Sequence, residues 1–82
     1  MRIISQDGLS DYPYDSIFVW VDRMNQRGIV ATMCSDPDGE FSLGTYNSED
    51  DALLVMKLIR RAANDGYTYY FMPSAKEVER YK

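Results

Sequence analysis

The chain has 82 residues, of which 45% are apolar and 13% aromatic, with seven Tyr, one Trp, one Cys, no His and a formal net charge of −4. A domain of that length buries only about 60–65% of the surface of its unfolded chain, too little to enclose a large cofactor, while the apolar content is too high for a disordered segment. Without histidine it lacks the commonest general base near neutral pH and the commonest transition-metal ligand, which excludes Ser/His/Asp and Cys/His catalysis within one chain.

The lone Cys34 cannot form an internal disulfide, and there is no basic-then-apolar leader or apolar run of about 18 residues. A reduced, cytoplasmic setting is expected. The charge is unevenly spread: residues 1–51 carry ten acids against three bases, and residues 52–82 carry three acids against six bases. An acidic first part opposes phosphate binding and suits a basic partner.

In chain order, residues 2–5 form a short β-compatible run that Asp7-Gly8 ends as a turn. Residues 10–15 read as an extended corner, because Pro13 fixes its own φ and biases Tyr12 toward extended conformations. Ile17, Phe18, Val19, Trp20 and Val21 are five consecutive strand formers, whose unbroken apolarity predicts a strand covered on both faces. Met24 to Gly28 turns the chain, residues 29–34 give a further strand, residues 36–39 read as a type I or II hairpin turn, and residues 41–46 return.

At Asn47-Ser48 the apolar period changes from two to about 3.6. Ser48 and Asp51 have the spacing of a capping box, Glu49, Asp50 and Asp51 place negative charge at a helix N-terminus, and Asn64-Asp65-Gly66 supplies the stop. Ala52, Val55, Met56, Ile59 and Ala63 are expected on the buried stripe, with Leu54 and Leu58 on an outer flank. Residues 67–72 read as a last strand ended by Pro73, and Ser74 with Glu77 as the cap of a C-terminal helical turn. The expected fold is a single α+β domain over residues 1–82, in the order β-β-β-β-α-β. It is a mainly antiparallel sheet of about five strands with one main helix on one face.

Several familiar sites fail on spacing. Aligning Gly39 with the sixth position of an EF-hand loop puts Cys34 and Thr45 where carboxylates are required. The five glycines never cluster into a phosphate-cradling loop. Cys34 reads as a small buried hydrophobe of a strand, with no zinc partner.

The stretches MRIISQDGLSDYPYD, LGTYNSEDDALLVMKLI and YYFMP together resemble a family of small proteins from Gram-positive anaerobes, their phages and their conjugative elements. The resemblance rests on Ser5-Gln6-Asp7-Gly8, on Pro13-Tyr14-Asp15, on Gly44, Tyr46, Ser48 and Ala52 as a G-x-Y-x-S-x-x-x-A step, and on Met72-Pro73. It implies a mobile-element origin and carries over no catalytic residue.

The leading functional expectation is a small non-enzymatic binding protein, such as an inhibitor of a CRISPR-type host defence nuclease. It would present Asp36, Asp38, Glu40, Glu49, Asp50 and Asp51 as phosphate stand-ins to a basic or nucleic-acid-binding protein. No catalytic residue, cofactor, metal, membrane or direct nucleic-acid partner is expected. A homodimer or docking face is expected through Leu54 and Leu58, unless residues 75–81 fold back and cover them with Val78 and Tyr81. An alternative ligand surface is Asp7, Asp11, Tyr12, Tyr14, Arg60 and Arg61, or a nucleotide held between Tyr67, Tyr69, Tyr70 and the two arginines. Against this stands a structural reading of the opening corner, in which Asp7 and Asp11 cap local N–H groups. A weak hydrolase using paired carboxylates and Mg²⁺ is the third class.

Overall fold

A computed structural model describes residues 1–82. Six strands and one long helix follow in the order β1 (Arg2–Ile4), β2 (Asp11–Pro13), β3 (Ile17–Val21), β4 (Gly28–Met33), β5 (Asp36–Thr45), α1 (Glu49–Asn64) and β6 (Tyr69–Phe71). Short 3₁₀ turns occupy Tyr14–Ser16 and Glu77–Tyr81. The fold is α+β, as the residue pattern predicts, but the strands divide into two three-stranded sheets instead of one sheet of about five. The first has the order β2-β1-β6, with β1 antiparallel to β2 and parallel to β6; the second is the antiparallel meander β3-β4-β5.

Pro13 marks the division. It lies at the end of β2, an edge strand where a residue without an N–H is tolerated, and the 3₁₀ turn that follows redirects the chain into the second sheet. The expected corner thus pairs as a short strand, with Tyr14 N–H donating to Met1 C=O at 3.0 Å.

One apolar cluster unites the layers. Ile3 of the first sheet, Ile17, Ile29, Ala31 and Leu43 of the second, Ala52, Val55 and Ile59 of α1, and Val78 of the last turn are buried together. The helix begins as its sequence predicts: Ser48 is extended and its hydroxyl accepts from Asp51 N–H at 3.1 Å. It ends at Gly66, whose φ of +78° is the left-handed conformation that a glycine adopts without cost. Its buried stripe is Ala52, Val55, Ile59 and Ala62, not Ala63. The helix is rolled toward the flank of Leu54 and Leu58, because the C-terminal segment packs there and sets Val78 into the core.

Two further expectations are corrected. The tight turn of the β4–β5 hairpin is Cys34-Ser35, with Met33 opposite Asp36. Residues 37–39 bulge between that pair and the pair Thr32 with Glu40, so the Pro-Asp-Gly segment widens the strand instead of turning it. Cys34 is accordingly exposed, not a core residue.

Gln6, Gly44, Tyr46 and Pro73 meet where the two sheets join. A second bulge leaves Leu43 without a partner on β4, and its carbonyl accepts from Gln6 N–H at 2.7 Å. The Gln6 amide acts as a substitute strand neighbour: its Nε2 donates to Thr45 C=O at 3.0 Å and to Pro73 C=O at 3.1 Å, while its Oε1 accepts from Thr45 N–H at 3.0 Å. The buried Tyr46 hydroxyl donates to the same Pro73 carbonyl at 2.9 Å. Gly44 is required by the close approach, since a Cβ there would stand 3.0 Å from the Tyr46 hydroxyl oxygen and 3.2 Å from Gln6 Cβ.

Candidate functional site

The opening corner is held by hydrogen bonds among its own residues. Asp7 Oδ1 accepts from the Ser5 hydroxyl at 2.6 Å and from Leu9 N–H at 2.9 Å, and Ser5 Oγ accepts from Ser10 N–H at 3.1 Å. The Ser5 hydroxyl first, and the Leu9 N–H second, hold the Asp7 carboxyl below its usual range. Asp11 is paired with Arg2 Nε at 2.8 Å, and the Tyr12 ring stacks on Phe41 with centroids 4.0 Å apart. Tyr14 and Arg60 line one cleft between β3 and α1, whereas Arg61 lies in another. The six residues of the alternative ligand surface therefore do not converge.

The acids of the expected phosphate-mimicking surface divide as well. Glu49 and Asp50 are exposed at the N-terminus of α1, whereas Asp36, Asp38 and Glu40 lie toward the other end of β5, roughly 15 Å away by strand rise. Asp51 is only 3% exposed, and its carboxylate is paired with Lys82 Nζ at 2.8 Å. Lys82 also reaches Glu79, and these two carboxylates, Asp51 first, raise the pKa of its ammonium. Asp51 ties the C-terminus to the helix start and is withdrawn from any docking surface.

The expected Leu54 and Leu58 ridge is half-buried. Leu54 packs against the core, and Leu58 lines a cleft of about 200 Å³ with Arg61, Asp65, Tyr67, Tyr70 and Tyr81. The fold-back of the C-terminal segment has removed the bare apolar ridge. Burial first, then the neighbouring Tyr81 and Tyr67, pushes the Tyr70 hydroxyl up to about 12.

A different face stands open. Ile17, Val19 and Val21 of β3 point toward the helix, so the strand period sends Phe18 and Trp20 to the opposite side of the sheet. Trp20 lies beside Val30 in register and Phe18 beside Thr32, while Ser42 and Glu40 flank the same two residues on β5. Val30 and Thr32 at the centre are buried, yet Phe18, on the edge strand where it also borders the β3–α1 cleft, remains 58% exposed and Met24, in the following loop, 95% exposed. Sequence alone concealed this face, because five consecutive apolar residues in β3 suggest burial on both sides.

The surroundings of the open face are built. Asp22 Oδ1 accepts from Met24 N–H at 3.0 Å, and Gly28 N–H donates to Asn25 C=O at 2.8 Å, which shapes the β3–β4 loop. The buried Thr32 hydroxyl donates to the carbonyls of Asp36 and Gly39, fixing the acidic bulge. Trp20, Asp22, Arg23, Met24 and Glu40 line an open groove of about 470 Å³ on this side. Glu40 thereby shares a groove with apolar side chains that the expected site did not include, while Asp36 and Asp38 lie at the β4–β5 hairpin, at the other end of the sheet from the Met24 loop.

No three Cys, Asp or Glu side chains come close enough together to hold a metal ion. No helix is long and apolar enough to cross a membrane. Comparisons of the chain with protein-family models, curated proteins and solved structures found no match.

Proposed function

We propose that this chain is a small binding protein that docks a basic protein through the outer face of β3-β4-β5. The observation that carries the reading is the coincidence of two signals on one face: exposed Phe18 and Met24 beside Trp20, and the carboxylates Asp22 and Glu40 against the single cation Arg23, with Asp36 and Asp38 on the hairpin segment that precedes Glu40. Aromatic and Met side chains are enriched at protein interfaces, and a carboxylate rim selects a cationic partner and speeds encounter. Such a partner is of the class that itself binds nucleic acid. An inhibitory role against a defence nuclease, on a phage or conjugative element, is the biological form that the family resemblance favours.

The test is capture of a partner at low salt with the wild type and with Asp36→Lys, Asp38→Lys and Glu40→Lys combined. The expected result is a partner lost from the triple variant and eluted by a few hundred millimolar salt, roughly the range in which exposed charge pairs are screened. Capture indifferent to both would overturn the reading.

The tyrosine-lined cleft gives a second reading, a nucleotide binder, because it brings Arg61, Tyr67 and Tyr70 together as that class requires. Its 200 Å³ is smaller than the roughly 300 Å³ at which ligand pockets usually begin, and Asp65 opposes a phosphate. A thermal-shift screen against mononucleotides and cyclic dinucleotides tests it, and stabilisation abolished by Arg61→Ala is the result that would support it.

A further inference from the structure

We infer that the groove between Trp20, Asp22, Met24 and Glu40 is the seat of an arginine side chain from the docked protein. The inference rests on the basic-partner reading above and names the residue type that the partner contributes. The groove joins two segments far apart in sequence, the end of β3 with its loop and the middle of β5, into one lining of an aromatic ring, a thioether, two carboxylates and the cation Arg23, which pairs with neither carboxylate and leaves the lining net negative. That combination narrows the occupant by elimination. An acidic or phosphorylated side chain would face Asp22 and Glu40, with Asp36 and Asp38 on the same hairpin. An apolar side chain would strip water from two carboxylates and return no hydrogen bond.

Between the two cationic side chains the ring decides. A guanidinium is planar, weakly hydrated and able to lie on an indole while its N–H groups meet a carboxylate in pairs, whereas an ammonium is a compact and strongly hydrated point charge. The seat is also held in place before binding. Asp22 is fixed by Met24 N–H, and Glu40 stands in register beside the buried Thr32, which anchors the bulge.

Trp20 is the only tryptophan of the chain, so tryptophan emission reports from the wall of this groove. The experiment titrates the full chain, at about 50 mM salt where surface charge is weakly screened, with three tryptophan-free peptides: Arg-Gly-Arg-Gly-Arg, Lys-Gly-Lys-Gly-Lys and Glu-Gly-Glu-Gly-Glu. The expected result is a saturable change in Trp20 emission with the arginine peptide, weaker binding of the lysine peptide, and none of the acidic one. Asp22→Asn with Glu40→Gln should weaken the arginine peptide about tenfold. Both changes preserve the fold: Asn keeps the acceptor for Met24 N–H, Glu40 is exposed, and an unchanged circular dichroism spectrum checks this. Equal affinity for lysine and arginine would overturn the guanidinium assignment. Arginine-peptide binding detected by calorimetry but silent in Trp20 emission, or unchanged in the double variant, would overturn the seat while leaving the basic-partner reading standing. If no cationic peptide binds, both fall.

Discussion

Two regions of this small chain carry its unusual side chains, and they differ in whether those side chains are satisfied. At the joint between the sheets, Gln6, Gly44, Tyr46 and Pro73 are locked together by direct hydrogen bonds and close approach. On the outer face of the second sheet, Phe18 and Met24 lie in the open, and the carboxylates beside them face water. Motif residues that satisfy one another are explained by folding. Side chains that nothing in the fold covers are what the proposed docking accounts for.

The contrast is broken most forcefully at Gly44. A valine there would drive its Cβ against the Tyr46 hydroxyl, which is pinned by Pro73, and against Gln6. Gly44→Val should cost about 3 kcal/mol in urea unfolding, the upper part of the overpacking range. Gln6→Ala comes next, at about 2 kcal/mol, because three hydrogen bonds disappear while water reaches the exposed Thr45 in their place. If either variant unfolds with the wild-type midpoint, the joint is not what holds the sheets together.

Ser48→Ala removes the hydroxyl that accepts from Asp51 N–H and should cost about 1 kcal/mol. The same half of the molecule sets the pH limits. Asp7 and Glu77 have lowered pKa values, Glu77 chiefly through the N–H and hydroxyl of Ser74, so each stabilises the fold above the ordinary carboxylate range. That contribution is lost as pH falls below about 4 through their folded values, and Asp7→Asn with Glu77→Gln should flatten the acid limb of a stability-against-pH curve. Tyr70, raised to about 12, with Tyr46 and Lys82 raised as well, acts in the opposite sense. Their contribution is complete below about 10, the unfolded value, and is lost as pH climbs through the folded ones.

Local signals were legible wherever residue chemistry acts over a few positions. Ser48 caps the helix, Gly66 ends it, and Ser74 and Glu77 exchange reciprocal 3.1 Å hydrogen bonds. Long-range placement was not legible. The joining of the two sheets depends on Gln6 finding Thr45 and Pro73, contacts across 39 and 67 residues that no period encodes. The same limit affected the site. Charge counting grouped Asp51 with the surface acids because nothing near it announces that Lys82, 31 residues on, will neutralise it. Composition singled out Asp36, Asp38 and Glu40, but it did not show that Glu40 lies near Trp20, because a hydrophobic run such as β3 does not reveal which alternate residues remain uncovered.

The smallest expected effect is the sharpest test of the contrast. Phe18→Ser with Met24→Ser removes two large apolar side chains from a small protein, and removal of two core residues of that size would cost several kcal/mol. Here Phe18 is more than half exposed and Met24 almost fully so, which means folding withdraws little of their surface from water. The double variant should therefore unfold within about 0.5 kcal/mol of the wild type, the ordinary range for surface substitutions. It should also aggregate less at high concentration and lose the captured partner. A loss of stability well beyond that range would make Phe18 and Met24 part of the fold, and the outer face would then join the joint among the regions explained by folding alone.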